Sequence, residues 1–188
     1  MRLIDLIALG AALGLAGCGG EEPLTRPISA QAWRTIAEAR VDPAAAAAML
    51  TAYRAAHGLG PVRLDPALTA MAQREADAMV AANALSHDLG GGYAARLEAA
   101  GVDTVRAGEN IGGGYGSTAE AMAGWRHSPE HDANLLLLQA TRFGIAIAKD
   151  AQSRLGVYWA MEVAAEPGPP AHAAAAAGAS DGLLLLRP

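Results

Sequence analysis

Three short stretches carry the residue types that do chemistry: Ser86 and His87; Gly108, Glu109 and Asn110; and the run from Trp125 to His131, which includes Ser128, Pro129 and Glu130. His87 and Glu109 stand 22 positions apart, and Glu109 and His131 another 22, so only a folded domain brings the three together. Two imidazoles and one carboxylate are a set that holds a divalent cation or runs acid–base chemistry near neutral pH. Taken singly, each is more often a surface residue or a satisfied hydrogen-bonding group, so the functional reading depends on their convergence.

Competing arrangements of the same residues are weaker. His127 and His131 have the four-residue spacing of a helical zinc pair, but Pro129 lies between them. Proline inside a helix costs about 3 kcal/mol, so Ser128, Pro129 and Glu130 read as a fresh helix start with Ser128 as its cap. That leaves His127 peripheral and puts His131 in the first turn. Ser86, His87 and Asp88 have the letters of a hydrolase triad, but adjacent residues do not line up nucleophile, base and orienting acid. Gly112, Gly113, Gly114 and Gly116 suggest a phosphate cradle, yet no Lys-Ser/Thr ending follows. They read instead as a flexible or tightly turned rim.

The elements that must position these groups follow from capping and periodicity. Asp42-Pro43 and Asp65-Pro66 each place a capping side chain before a proline suited to the first helical position. The first helix is expected over 43–56, burying Met49, Leu50 and Tyr53, and the second over 66–82, with Leu68, Met71, Ala72, Ala76 and Met79 on one core stripe. A short helix is expected over 93–100, a strand over 104–111, and a helix opening at Ser117 with Glu120 as a capping box. Residues 29–40 suggest an extra helix packing Trp33 and Ile36 on the domain. Phe143, Ile145 and Ile147 alternate with Gly144, Ala146 and Ala148, and after a turn over 149–153 Leu155, Val157, Trp159, Met161 and Val163 alternate with Gly156, Tyr158, Ala160 and Glu162. Period two with large residues on one face describes an antiparallel hairpin covered by helices.

At 188 residues and 52% hydrophobic content, one domain with tails is expected. The net charge is −5 and Lys149 is the only lysine, which argues against nucleic acid as a partner. Met1 and Arg2 precede an apolar run, Leu3 to Leu15, closed by Ala16, Gly17 and Cys18; this reads as a secretory signal, too short for a membrane span. Cys18 is the only cysteine, so no intramolecular disulfide forms. Gly19 to Pro23 read as a tether. From Glu166 the composition turns to Pro, Gly and Ala, with Leu183 to Leu186 near the end, and reads as a disordered tail.

The order of Leu85-Ser86-His87, then Gly108-Glu109-Asn110-Ile111-Gly112, then Trp125 through Leu136, then the strands Phe143 to Ala148 and Val157 to Met161 resembles the bacterial branch of the CAP superfamily. That superfamily comprises the cysteine-rich secretory, antigen 5 and pathogenesis-related 1 proteins, or SCP domains. The resemblance covers about Pro43 to Val163. It implies an α+β fold, a three-layer α/β/α sandwich with a small antiparallel sheet, in which His87, Glu109 and His131 face a central cleft as catalytic or metal-binding residues. In several relatives that cleft takes a divalent metal, often zinc. Asn110 and Trp125 would support the site. Many relatives carry a second Glu three residues after the tryptophan; Ser128 stands there, which removes a negative charge and a candidate base.

Leu15-Ala16-Gly17-Cys18 resembles a bacterial lipobox, which implies removal of residues 1–17 and acylation of Cys18. The expected order is then a tether and helix over 18–41, a CAP domain over 42–165 and the tail over 166–188. This places the protein in the cell envelope, on a membrane reached through Cys18; Gly19, in place of the retaining Asp, leans towards an outer membrane. The leading expectation is a non-enzymatic module that binds a small ligand or an envelope partner. The alternatives are a metal-assisted hydrolase, with Glu109 as ligand or base, and a lipid or sterol carrier.

Overall fold

Asp42 and Asp65 each cap a helix that opens on proline: their carboxylates accept the backbone N–H of Ala45 in one case and of Ala67 and Leu68 in the other. The computed structural model describes residues 29–167. In chain order the elements are α1 (Ala30–Glu38), α2 (Pro43–Ala56), β1 (Arg63–Leu64), α3 (Pro66–Ala82), α4 (Tyr93–Ala99), β2 (Ala107–Gly113), α5 (Thr118–Arg126), α6 (Pro129–Leu135), β3 (Ala140–Lys149) and β4 (Val157–Ala165). The signal segment, Cys18, Gly19 to Pro23 and Leu183 to Leu186 lie outside the described residues.

The four strands form one sheet in the order β1-β3-β4-β2. β3, β4 and β2 are antiparallel, and the short β1, which the alternation pattern does not reveal, adds a parallel edge against β3. Odd-numbered residues of β3 and β4 (Phe143, Ile145, Trp159, Met161, Val163) face α2, α5 and α6, where they meet Leu50, Met122, Trp125 and Leu135. Ala146, Tyr158 and Ala160 face the other way onto Ala72, Ala76 and Met79 of α3. Every residue of β4 is buried, as expected of a strand covered on both faces. The result is the three-layer α/β/α sandwich. α3 lies tight against the sheet at Gly144, where a Cβ would collide with the backbone of Leu68 and Thr69.

Two expectations need correction. Trp33 does not pack into the domain and is 49% exposed, because α1 buries none of its residues fully and docks chiefly through Ile36, which lies over Gly156. The strand expected from Thr104 starts only at Ala107: the Thr104 hydroxyl donates back to Arg106 and Ala165 carbonyls, which stitches that segment to the end of β4 as a loop. Glu166, assigned to the tail, pairs with Arg63 and lies near Arg142. Among the described residues no helix is long and apolar enough to cross a membrane.

Candidate functional site

β2 is an edge strand, and its alternation divides the site between the two helical layers. Glu109 points towards α3 and α4, and Asn110 towards α5 and α6. Across the ladder Glu109 is registered with Glu162 of β4, so both side chains leave the same face of the sheet. α4 brings Tyr93 and Arg96 over that face one turn apart, and α3 brings Glu75 from an otherwise apolar stripe. Arg96 donates to both Glu109 oxygens, at 2.6 Å to Oε2 and 3.0 Å to Oε1, and to Glu75 Oε2 at 2.8 Å. Tyr93 donates to Glu162 Oε2 at 3.0 Å, and the guanidinium lies over the Tyr93 ring.

His87 enters from the loop after α3. Its Nδ1 lies 2.7 Å from Glu109 Oε1, and Arg96 also donates to the His87 carbonyl. The imidazole is half-exposed, with 54% of its side chain open to solvent, whereas the Glu109 side chain is 4% exposed. Because the carboxylate accepts, Nδ1 carries the ring's proton when the imidazole is neutral, and the Nε2 lone pair is left available. Burial would raise the Glu109 carboxyl, but the partners around it, Arg96 first, outweigh that and hold it below the ordinary range. Burial pushes Glu75 up against the opposing pull of Arg96.

On the other side of β2, Asn110 donates to the His131 carbonyl at 3.0 Å, and Asn134 donates to the Glu109 carbonyl and to Asn110 Oδ1. Gly108 must lack a side chain here, since a Cβ would strike Asn134. Trp125 is fully buried and donates from Nε1 to the Ile111 carbonyl, which ties α5 to the edge strand. Burial first, and the charge of His87 second, lower the His131 imidazole below its ordinary value. Ser128 sits at the N-cap of α6 in extended conformation, but its hydroxyl makes no capping bond. Ser86 Oγ accepts the Asp88 N–H, and His127 is an exposed C-cap bonded to the Ala123 carbonyl. The glycine rim is tightly turned: Gly114 has φ +78°, and the Tyr115 ring packs where Gly112 and Gly124 lack a Cβ.

The expected three-ligand metal set does not fit these side chains. Glu109 already accepts two bonds from Arg96 and one from His87, and the Arg96 cation against both its oxygens would repel a second cation. Among the described residues no three His, Cys, Asp or Glu side chains gather as metal ligands.

Arg96, Glu75, Glu162 and Tyr93 escaped the sequence reading. The signals were there: Glu75 occupies a core position of the stripe that runs from Leu68 to Met79, and Glu162 interrupts an apolar strand.

A mixed four-stranded sheet closed between two helical layers, with a carboxylate-bound histidine at its free edge, defines a CAP-type sandwich. Residues 47–163 match the model of the CAP family, described as the cysteine-rich secretory protein family, and the chain belongs to that family. Among solved structures it is similar to an extracellular SCP-domain protein of Bacillus anthracis (24% identity, 65% of this chain and 40% of that one, TM-score 0.58). It is also similar to a cysteine-rich secretory protein of Staphylococcus aureus (15%, 66% and 38%, TM-score 0.55) and to an outer surface protein of Borrelia burgdorferi (15%, 67% and 96%, TM-score 0.57). The chain spans 40% and 38% of the first two, and at these identities the likeness shows the fold. No curated protein matches the sequence.

Proposed function

We propose that this chain is an extracytoplasmic CAP domain, held at a membrane through acylated Cys18, that binds a small ligand or cell-envelope partner at His87 without turning it over. One observation carries the reading: both Glu109 oxygens are taken by Arg96 and His87, so the acidic groups are locked inward while a half-exposed imidazole faces out. Leu85 and Leu89, both exposed, flank that imidazole in the same loop. Such a surface suits a ligand with a hydrogen-bonding group beside an apolar one. Net charge disfavours nucleic acid.

A second reading is favoured by the 2.7 Å His87–Glu109 bond. A carboxylate that orients an imidazole makes Nε2 a general base for an attacking water, which would give a hydrolase.

NMR titration with a short-chain phospholipid and with soluble muropeptides separates the two. The binding reading expects saturable shifts at Leu85, His87 and Leu89, loss of the Leu85 and Leu89 shifts in His87→Ala, and no product. Product formation that falls in both His87→Ala and Glu109→Gln supports the hydrolase; no shift in this loop with either probe contradicts binding at His87. Incorporation of labelled palmitate that is lost in Cys18→Ser tests the anchor.

A further inference from the structure

The pocket behind His87 holds more carboxyl groups than its cation can neutralise. Glu75 and Glu162 have fully buried side chains, Glu109 is 4% exposed and Arg96 is 8% exposed. Three almost wholly buried carboxyl groups therefore face one guanidinium. Arg96 serves Glu109 and Glu75 at bonding distance but stands 4.0 Å from Glu162 Oε1. That oxygen is buried and receives no donor, while Oε2 takes the Tyr93 hydroxyl. The Glu162 and Glu109 carboxyl groups nevertheless leave the same face of the sheet from directly opposite positions of the β2–β4 ladder, where side chains of a cross-strand pair come into contact. Two ionised carboxylates offer only lone pairs, so such a contact forms only when one of them carries a proton.

We propose that Glu162 carries that proton, on the oxygen facing Glu109, and is a positioning residue: the shared proton fixes the Glu109 carboxylate, which in turn fixes His87. The groups facing Glu162 are Glu109 from β2, Tyr93 and Arg96 from α4, and Gly144, which brings no charge, from β3, while Glu75 of α3 meets the same Arg96 guanidinium. Burial, and then the Glu109 charge, push the Glu162 carboxyl up to about 9. A raised carboxyl stabilises the fold fully below its unfolded value, near 4.5, and that contribution is lost as pH rises through about 9.

Infrared difference spectra of wild type and Glu162→Gln at pH 7 test the proton directly. The expected result is a protonated-acid carbonyl band, sensitive to D2O, that only wild type shows, together with a decline of wild-type stability between pH 4.5 and about 9 that Glu162→Gln flattens. A carboxylate band in its place, or parallel stability profiles, overturns the proposal. Should Glu162→Gln fail to fold, the assigned Glu162 carboxyl carbon of 13C-labelled wild type gives the same answer by NMR. For the positioning role, Glu162→Gln, whose amide still donates, should keep His87 in its Nδ1–H form, and Glu162→Leu should release it; an unchanged ring in the Leu variant overturns that role. Only the consequence for His87 touches the binding reading above, and the infrared result needs no ligand, so the two can fail separately.

Discussion

Arg96 grips Glu109 through two guanidinium nitrogens, at 2.6 Å and 3.0 Å, and a third contact at 2.8 Å reaches Glu75. One cation on a seven-residue helix thus holds the edge strand to α3 from above the sheet. Arg96→Met would leave two buried carboxylates without their partner, which costs about 3–5 kcal/mol. Urea denaturation at neutral pH should show a loss of that size. Lysine should recover only part of it, because it lacks the fork that meets both Glu109 oxygens.

Glu109 predicts an acid limit. Its folded value lies below the ordinary 4.5, so its contribution is complete above that value and is lost as pH falls through the lowered one. Glu109→Gln should be less stable than wild type at neutral pH, with a gap that closes steadily below pH 4.5. Thermal melts across this range read the gap, and a constant difference contradicts the account.

The fold was legible where local chemistry and tertiary demand agree. Asp42-Pro43 and Asp65-Pro66 marked two helices, and the alternation from Phe143 to Val163 marked the hairpin. The site was legible only in part. His87 and Glu109 meet directly, but Arg96, Glu75 and Glu162 were passed over, because a periodicity reading sorts positions into apolar and polar and treats a charge on a core stripe as noise. The short β1 was missed because two residues carry no pattern, and Trp33 was misplaced because helical spacing alone does not say how much of a helix docks.

At Gly144 the α3 backbone lies against the sheet. Alanine there must push the Leu68–Thr69 backbone away, and overpacking of this kind costs about 1–3 kcal/mol. The melting temperature of Gly144→Ala should fall, with the His87 loop unchanged in NMR spectra, since the strain lies at the other end of α3.

Ser128 and Asp42 occupy equivalent cap positions, but only Asp42 makes the bond, accepting the Ala45 N–H at 2.9 Å. Asp42→Ala should cost about 1 kcal/mol. Ser128→Ala should stay within about 0.5 kcal/mol, as for a surface change that removes no contact. Equal losses in denaturant titrations would show that the Ser128 hydroxyl has a partner in solution.

The most direct test of the carboxylate-held imidazole is the tautomer of neutral His87, read from the 15N shifts and ring couplings of 15N-histidine-labelled protein. The account predicts the Nδ1–H form in wild type and its loss in Glu109→Leu. An Nε2–H form in wild type, unchanged by that substitution, would mean that Glu109 does not hold the ring and that His87 is an ordinary surface histidine.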